Sequence, residues 1–125
     1  MRRGFRWFGY IIVAVMGGLF ALSGFSLSGS IEGLVGFAGL LAVGVLFVLA
    51  GFETPLTRRF GWHRLLGLGF AMMGVVNLLT VLFSWADGGV FYAVATLSLA
   101  GLFAFMGFDI ARDGPHFDID PDETV

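Results

Sequence analysis

Glu53-Thr54-Pro55-Leu56-Thr57-Arg58-Arg59-Phe60-Gly61 is the one sizeable polar interruption in a chain that is otherwise almost continuously apolar. An apolar run, about 31–52, ends at its left edge, and another, about 62–85, begins at its right. Working outward, two more runs follow the same pattern, about 7–27 and about 89–110. Each exceeds the roughly 18 residues that mark a candidate membrane-spanning helix. The reading is an all-α integral membrane four-helix bundle, with four spans over residues 1–112 and an acidic tail over 113–125.

The two arginines of the quoted stretch set the orientation. All seven basic residues are arginines: Arg2, Arg3 and Arg6 precede the first run, Arg58, Arg59 and Arg64 separate the second from the third, and Arg112 follows the fourth. The two other connections, around Glu32 and Asp87, carry none. Basic loops stay in the cytoplasm, so both termini are expected inside a cell membrane. Arg2, Arg3, Arg6, Arg58 and Arg59 are the expected contacts to anionic lipid headgroups, at about 1 kcal/mol each at ordinary salt. Arg2-Arg3 before an apolar stretch also opens a signal peptide. Residues 7–27 are long for one, however, and no Ala-x-Ala site follows, so a retained span is expected.

Composition excludes several functions. With 125 residues, 58% hydrophobic and 13% charged, the chain has no room for a second domain or for an external ligand-binding one. Without cysteine there are no disulfides, thiolate metal sites or thiol nucleophiles. Without lysine there is no Schiff base. Arginine without lysine, together with Asp113, Asp118, Asp120, Asp122 and Glu123 in the tail, fits a salt-adapted source; a GC-rich genome would favour arginine as well. Gly114-Pro115 ends the last helix, and the tail beyond is expected to be disordered.

Aromatic residues support these limits. Trp7 and Trp62 fall at the expected inner boundary and Trp85 at the outer one, where amphipathic rings prefer to sit. An offset of 56 residues superimposes the first hairpin on the second: Met16 and Gly18 match Met72 and Gly74, and Gly51-Phe52-Glu53 matches Gly107-Phe108-Asp109. The bundle is therefore read as two hairpins that resemble a repeat.

Lipid is as apolar as leucine, so membrane helices adhere through close packing that small residues permit. At 100° per residue, small residues gather on one face of each span. These are Ala14, Gly17, Ala21, Gly24 and Ser28; Gly33, Gly36, Gly44 and Gly51; more loosely, over about 140°, Gly67, Ala71, Gly74, Asn77 and Ser84; and most clearly Gly89, Ala93, Ala100, Ala104, Gly107 and Ala111. These stripes either hold the bundle together or, where one faces outward, join it to a partner. The fifteen phenylalanines are mostly suited to lipid contact.

Chemistry is sparse. No Asp, Glu, Arg or His falls mid-span, whereas ion and proton transport usually needs such groups. Glu53 and Asp109, near Arg58, Arg59 and Arg112, read as interfacial ion pairs. Asn77 reads as an interhelical hydrogen bond with Thr80, Thr96 or Ser98 nearby, and His63 and His116 read as solvated. Asp118-x-Asp120-x-Asp122 lacks the glycine and closing glutamate of a calcium loop. No catalytic residue, metal, cofactor or nucleic-acid partner is expected. The expectation is a small non-enzymatic membrane protein, a structural or accessory subunit that forms a homo-oligomer or joins a larger complex. The alternative is an oligomeric channel or carrier for a small solute, lined by Asn77, Thr80, Thr96 and Ser98.

Overall fold

A backbone in hydrocarbon has no water to bond, so a spanning segment must satisfy itself as a helix. The structure is a computed structural model that describes residues 2–22, 31–83, 85–112, 116 and 122. It contains α1 (Arg2–Leu22), α2 (Ile31–Ala50), α3 (Pro55–Phe60), α4 (Trp62–Phe83) and α5 (Trp85–Ala111), with no strand among the described residues. All but α3 are long and apolar enough to cross a bilayer. The chain is an all-α, multi-pass membrane protein whose four long helices form a bundle. Outside the described residues lie the expected outer end of the first span, the connection after it, Gly24, Ser28, Ser84 and all of the acidic tail except His116 and Asp122.

Three local features differ from the sequence reading. α1 begins at Arg2, so its three arginines are helical rather than leading into the helix. The polar stretch contains a helix of its own. Thr54 is extended, as the residue before a proline should be, and Pro55 takes the first helical turn, where its missing N–H costs nothing. Proline here starts a helix, while α2 has already ended at Ala50. The third feature is Gly89, at φ 72° inside α5, where a side chain would be strained. The regular part of the last span thus resumes where the sequence places its start.

Packing runs α1 on α2, α2 on α4, and α4 on α5. α2 and α4 are central, and the outer helices α1 and α5 expose most of their surface. Phenylalanine rings bridge the helices. Phe5 of α1 meets Phe47 of α2 and Phe70 of α4 edge-on, Phe47 and Phe70 lie 5.1 Å apart, and Phe70 stacks with Phe103 of α5 at 6.4 Å. Phe47 is fully buried. Phe47 and Phe70 are therefore core, with Phe5 and Phe103 packed against them, whereas Phe8, Phe52, Phe60, Phe83, Phe91, Phe105 and Phe108 are exposed. Trp62 differs from expectation, being buried among Val43, Phe47 and Ile110 rather than lying at the headgroups.

The stripes divide by helix. Along α4 and α5 they face each other. A methyl added at Gly67 would stand 2.5 Å from the Gly107 carbonyl oxygen, and one at Gly107 would stand 2.5 Å from the Ala71 nitrogen. One at Gly74 would stand 2.9 Å from the Ala100 carbonyl oxygen and 3.1 Å from the Ala104 nitrogen. Ala100 is buried, while Ala104 contributes backbone and leaves its side chain exposed. On α2, Gly44 is used, with Ile12 and Val13 against it; Gly36 meets nothing within 4 Å. The α1 stripe does not pack inside the bundle. Ala14, Gly17 and Ala21 are exposed, and α1 reaches α2 through Gly9, Ile12, Val13 and Phe20 instead. That face lies about a third of a turn away, and its closest approach is at Gly9, where a methyl would stand 2.7 Å from the Val48 nitrogen and 2.8 Å from the Gly44 carbonyl oxygen.

Gly107→Leu should cost at least about 3 kcal/mol, since side chain meets backbone rather than a movable neighbour. Gly101→Leu, on the same helix with open space beside it, should change stability by no more than about 0.5 kcal/mol. Thermal unfolding in detergent checks both, and equal melting points would show that the α4–α5 seam is not what joins these helices.

Candidate functional site

One end of the bundle collects the start of α1, the end of α2, α3, the start of α4 and the end of α5, and with them every arginine. Helix ends leave backbone groups unmatched, and near hydrocarbon these need partners. α2 has no basic residue in its last turn. Arg2 supplies one from α1: its Nε donates to the Ala50 carbonyl at 2.8 Å and Nη2 to the Phe52 carbonyl at 3.0 Å. Its guanidinium also lies 5.8 Å from the centre of the Trp62 ring. A cation at a helix C-terminus further offsets the macrodipole. Arg2 is only 5% exposed, so the headgroup role read from sequence does not describe it.

The turn after α2 is closed by two threonines. Thr57 N–H donates to the Thr54 hydroxyl, and Thr54 N–H to the Thr57 hydroxyl at 2.7 Å. The Thr57 hydroxyl reaches the Phe52 carbonyl at 3.0 Å. This reciprocal cap could have been found in the sequence, since Thr54-Pro55-x-Thr57 carries the capping spacing with a proline at the first helical position. Gly61, at φ 85°, ends α3, and its N–H donates to the Thr57 carbonyl. His63 packs where a Gly61 side chain would go, and it is buried, not solvated as expected.

Arg3, Arg58 and Arg59 are exposed, as headgroup contacts must be, and Arg6 is half-buried. Arg6 lies over Phe52 at 4.9 Å and Arg59 over Phe60 at 5.5 Å. Exposed Leu56 and Phe60 beside Arg58 and Arg59 make α3 apolar and basic at once, which suits a membrane surface. Glu53 and Arg58 approach to 3.9 Å, the expected pair, but both are well exposed and the contact contributes little.

Asp109 finds a different partner from the arginines proposed for it. Its carboxylate is 1% exposed in the last turn of α5, an unfavourable place for negative charge. His116 answers it twice: its backbone N–H donates to Oδ2 at 3.3 Å, and Nδ1 lies 3.0 Å from Oδ1. The His116 ring also meets Phe105 edge-on at 5.1 Å.

Three polar side chains of the spans bond within their own helices. Asn77 Nδ2 donates to the Met73 carbonyl, the Thr80 hydroxyl to Val76 and the Ser98 hydroxyl to Val94, each four residues back on its own helix. The interhelical bond expected at Asn77 is replaced by this local one. Thr96 is buried and Ser98 is exposed. Among the described residues no three metal-ligating side chains cluster.

The family of unknown function DUF7994 matches residues 1–123. The chain belongs to that family. No curated protein and no solved structure matches it. For this DUF7994 member, the residues that carry geometry are therefore those of the basic end and the helix seams.

Arg2→Gln should lower stability by about 2–3 kcal/mol, the scale of charged hydrogen bonds to backbone, while Arg3→Gln changes it by no more than about 0.5 kcal/mol. Chemical unfolding in micelles distinguishes them; similar losses would mean that Arg2 acts through general charge. His116→Ala should cost about 1–3 kcal/mol by leaving a buried carboxylate without its partner. Adding Asp109→Asn to His116→Ala should recover part of that loss in a double-mutant cycle, and strictly additive losses would refute the coupling.

Proposed function

We propose that this chain is a non-enzymatic structural or accessory subunit of a membrane assembly, formed by self-association or by docking beside a larger complex. It sits in the cell membrane with both termini cytoplasmic, and Arg3, Arg6, Arg58 and Arg59 face anionic headgroups. The arginine bias carries the orientation. The observation that carries the assembly role is the outward face of α1. Ala14, Gly17, Gly18 and Ala21 are all exposed, and a methyl at either glycine would meet nothing within 4 Å. Against lipid, glycine gives a helix poor propensity and little contact. Against another helix it permits close approach. The bundle already uses its glycines in that second way along α4 and α5.

The alternative, a channel or carrier along Asn77, Thr80, Thr96 and Ser98, draws no support from donors turned onto their own helices.

Gly17→Leu with Ala21→Leu should abolish crosslinked species in native membranes while leaving the monomer's melting point within about 2 °C, as expected for exposed positions. Crosslinking followed by mass spectrometry reads out the partner, whether a second copy or another protein. An unchanged crosslink pattern would remove α1 as the contact. Reporter fusions at the carboxyl end check the orientation separately.

A further inference from the structure

Where α4 and α5 touch backbone to backbone, the seam lacks side-chain ridges and leaves a groove on the bundle surface. Gly67 and Ala71 of α4 and Ala104, Gly107 and Ala111 of α5 form its floor, Leu68 and Phe108 its walls, and Arg64 stands at one end. The groove measures about 420 Å³, and from Arg64 to Ala71 it follows the helix for about 10 Å. In a bilayer, hydrocarbon tails are the surrounding medium for such a surface.

The charged end singles out one kind of tail. A methyl at Gly67 would meet the Ala111 methyl and nitrogen at 2.8 Å, so Arg64, one turn before Gly67, and Arg112, next after Ala111, lie at the same level on the two helices that wall the groove. Both are exposed, and neither has a carboxylate partner among the described residues. Arg112 lies over Phe108, a groove wall, with 4.8 Å between its guanidinium and the ring centre. Asp109, three residues before Arg112, is buried and engaged by His116, so it does not neutralise them; Asp113, next after Arg112, lies outside the described residues. Guanidinium groups match phosphate oxygens in pairs, and basic pockets between membrane helices suit anionic headgroups.

We propose that the α4–α5 groove binds an anionic phospholipid, its phosphate held by Arg64 and Arg112 and the upper part of one acyl chain lying along Gly67, Ala71, Ala104 and Gly107. The site rests on the chain residing in a bilayer; it does not depend on self-association or on any partner protein.

Native mass spectrometry of the full chain, released from micelles containing equal phosphatidylglycerol and phosphatidylcholine, tests this on the monomer peak. A failed assembly role therefore leaves the measurement intact. The wild type should retain one phosphatidylglycerol in preference to phosphatidylcholine. R64Q/R112Q should reduce that preference roughly tenfold or more, given two basic contacts to one headgroup. A104L keeps every arginine and fills the groove, so it should reduce it too; diffuse attraction to basic charge would be unaffected by it. Phe108→Ala, which removes a wall and the ring beneath Arg112, gives a second route to the same loss should A104L disturb the fold. Inorganic phosphate at millimolar concentration should fail to displace the lipid, because it cannot occupy the groove. Retention unchanged in R64Q/R112Q, unchanged in both groove variants, or abolished by inorganic phosphate would overturn the proposal.

Discussion

Helices already dissolved in hydrocarbon gain nothing by leaving water, so what holds this molecule together is contact at atomic range. The Gly67–Gly107 crossing shows the consequence most directly, since neither position has room for a methyl group between two backbones. Farther along the same seam, Gly74 admits the backbone of Ala100 and Ala104. Many weak dispersion contacts accumulate over such a length, and Asn77, Thr80 and Ser98 bond within their own helices. The closeness of that seam is also why it offers a groove on its outer side.

The two hairpins meet through different physics. α2 and α4 carry Phe47 and Phe70 at the centre, with Phe5 and Phe103 extending the ring contacts to the outer helices. Rings fill volume that small residues cannot, and their edges and faces attract at these distances. Gly69 lets the Phe47 ring lie against the α4 backbone. Small residues thus act within each hairpin, and between the hairpins they serve as seats for rings. At the basic end the polar inventory is largely used in closing helix termini: Arg2 on the α2 carbonyls, Thr54 and Thr57 on each other, His116 on Asp109. What remains uncommitted is concentrated on α3 and beside the α4–α5 seam.

The spans were legible because their signal is additive: some twenty apolar residues between polar stretches outweigh any single exception. The α4 and α5 stripes were legible for a related reason, since glycine and alanine at helical spacing can face only one way together. The α1 stripe misled because periodicity identifies a face without saying what lies against it; Gly9, on the face of Ile12, Val13 and Phe20, makes the close approach to α2 instead. Trp62 and Arg2 were misplaced by class preference. Tryptophan and arginine usually seek the headgroups, yet here the ring sits in a gap between α2 and α4 and the guanidinium lies against it. Asn77 was misjudged because sequence does not reveal whether an amide bonds its own helix or the next. The short helix α3 was obscured by reading residues 53–61 only as a polar interruption, although the two threonines around Pro55 spell a start.

Arg2 binds carbonyls 48 and 50 positions later in the chain. During synthesis the first helix therefore emerges without the groups that seat its leading turn. The hydrogen bonds that seat the first turn of α1 are complete only once the end of α2 is in place.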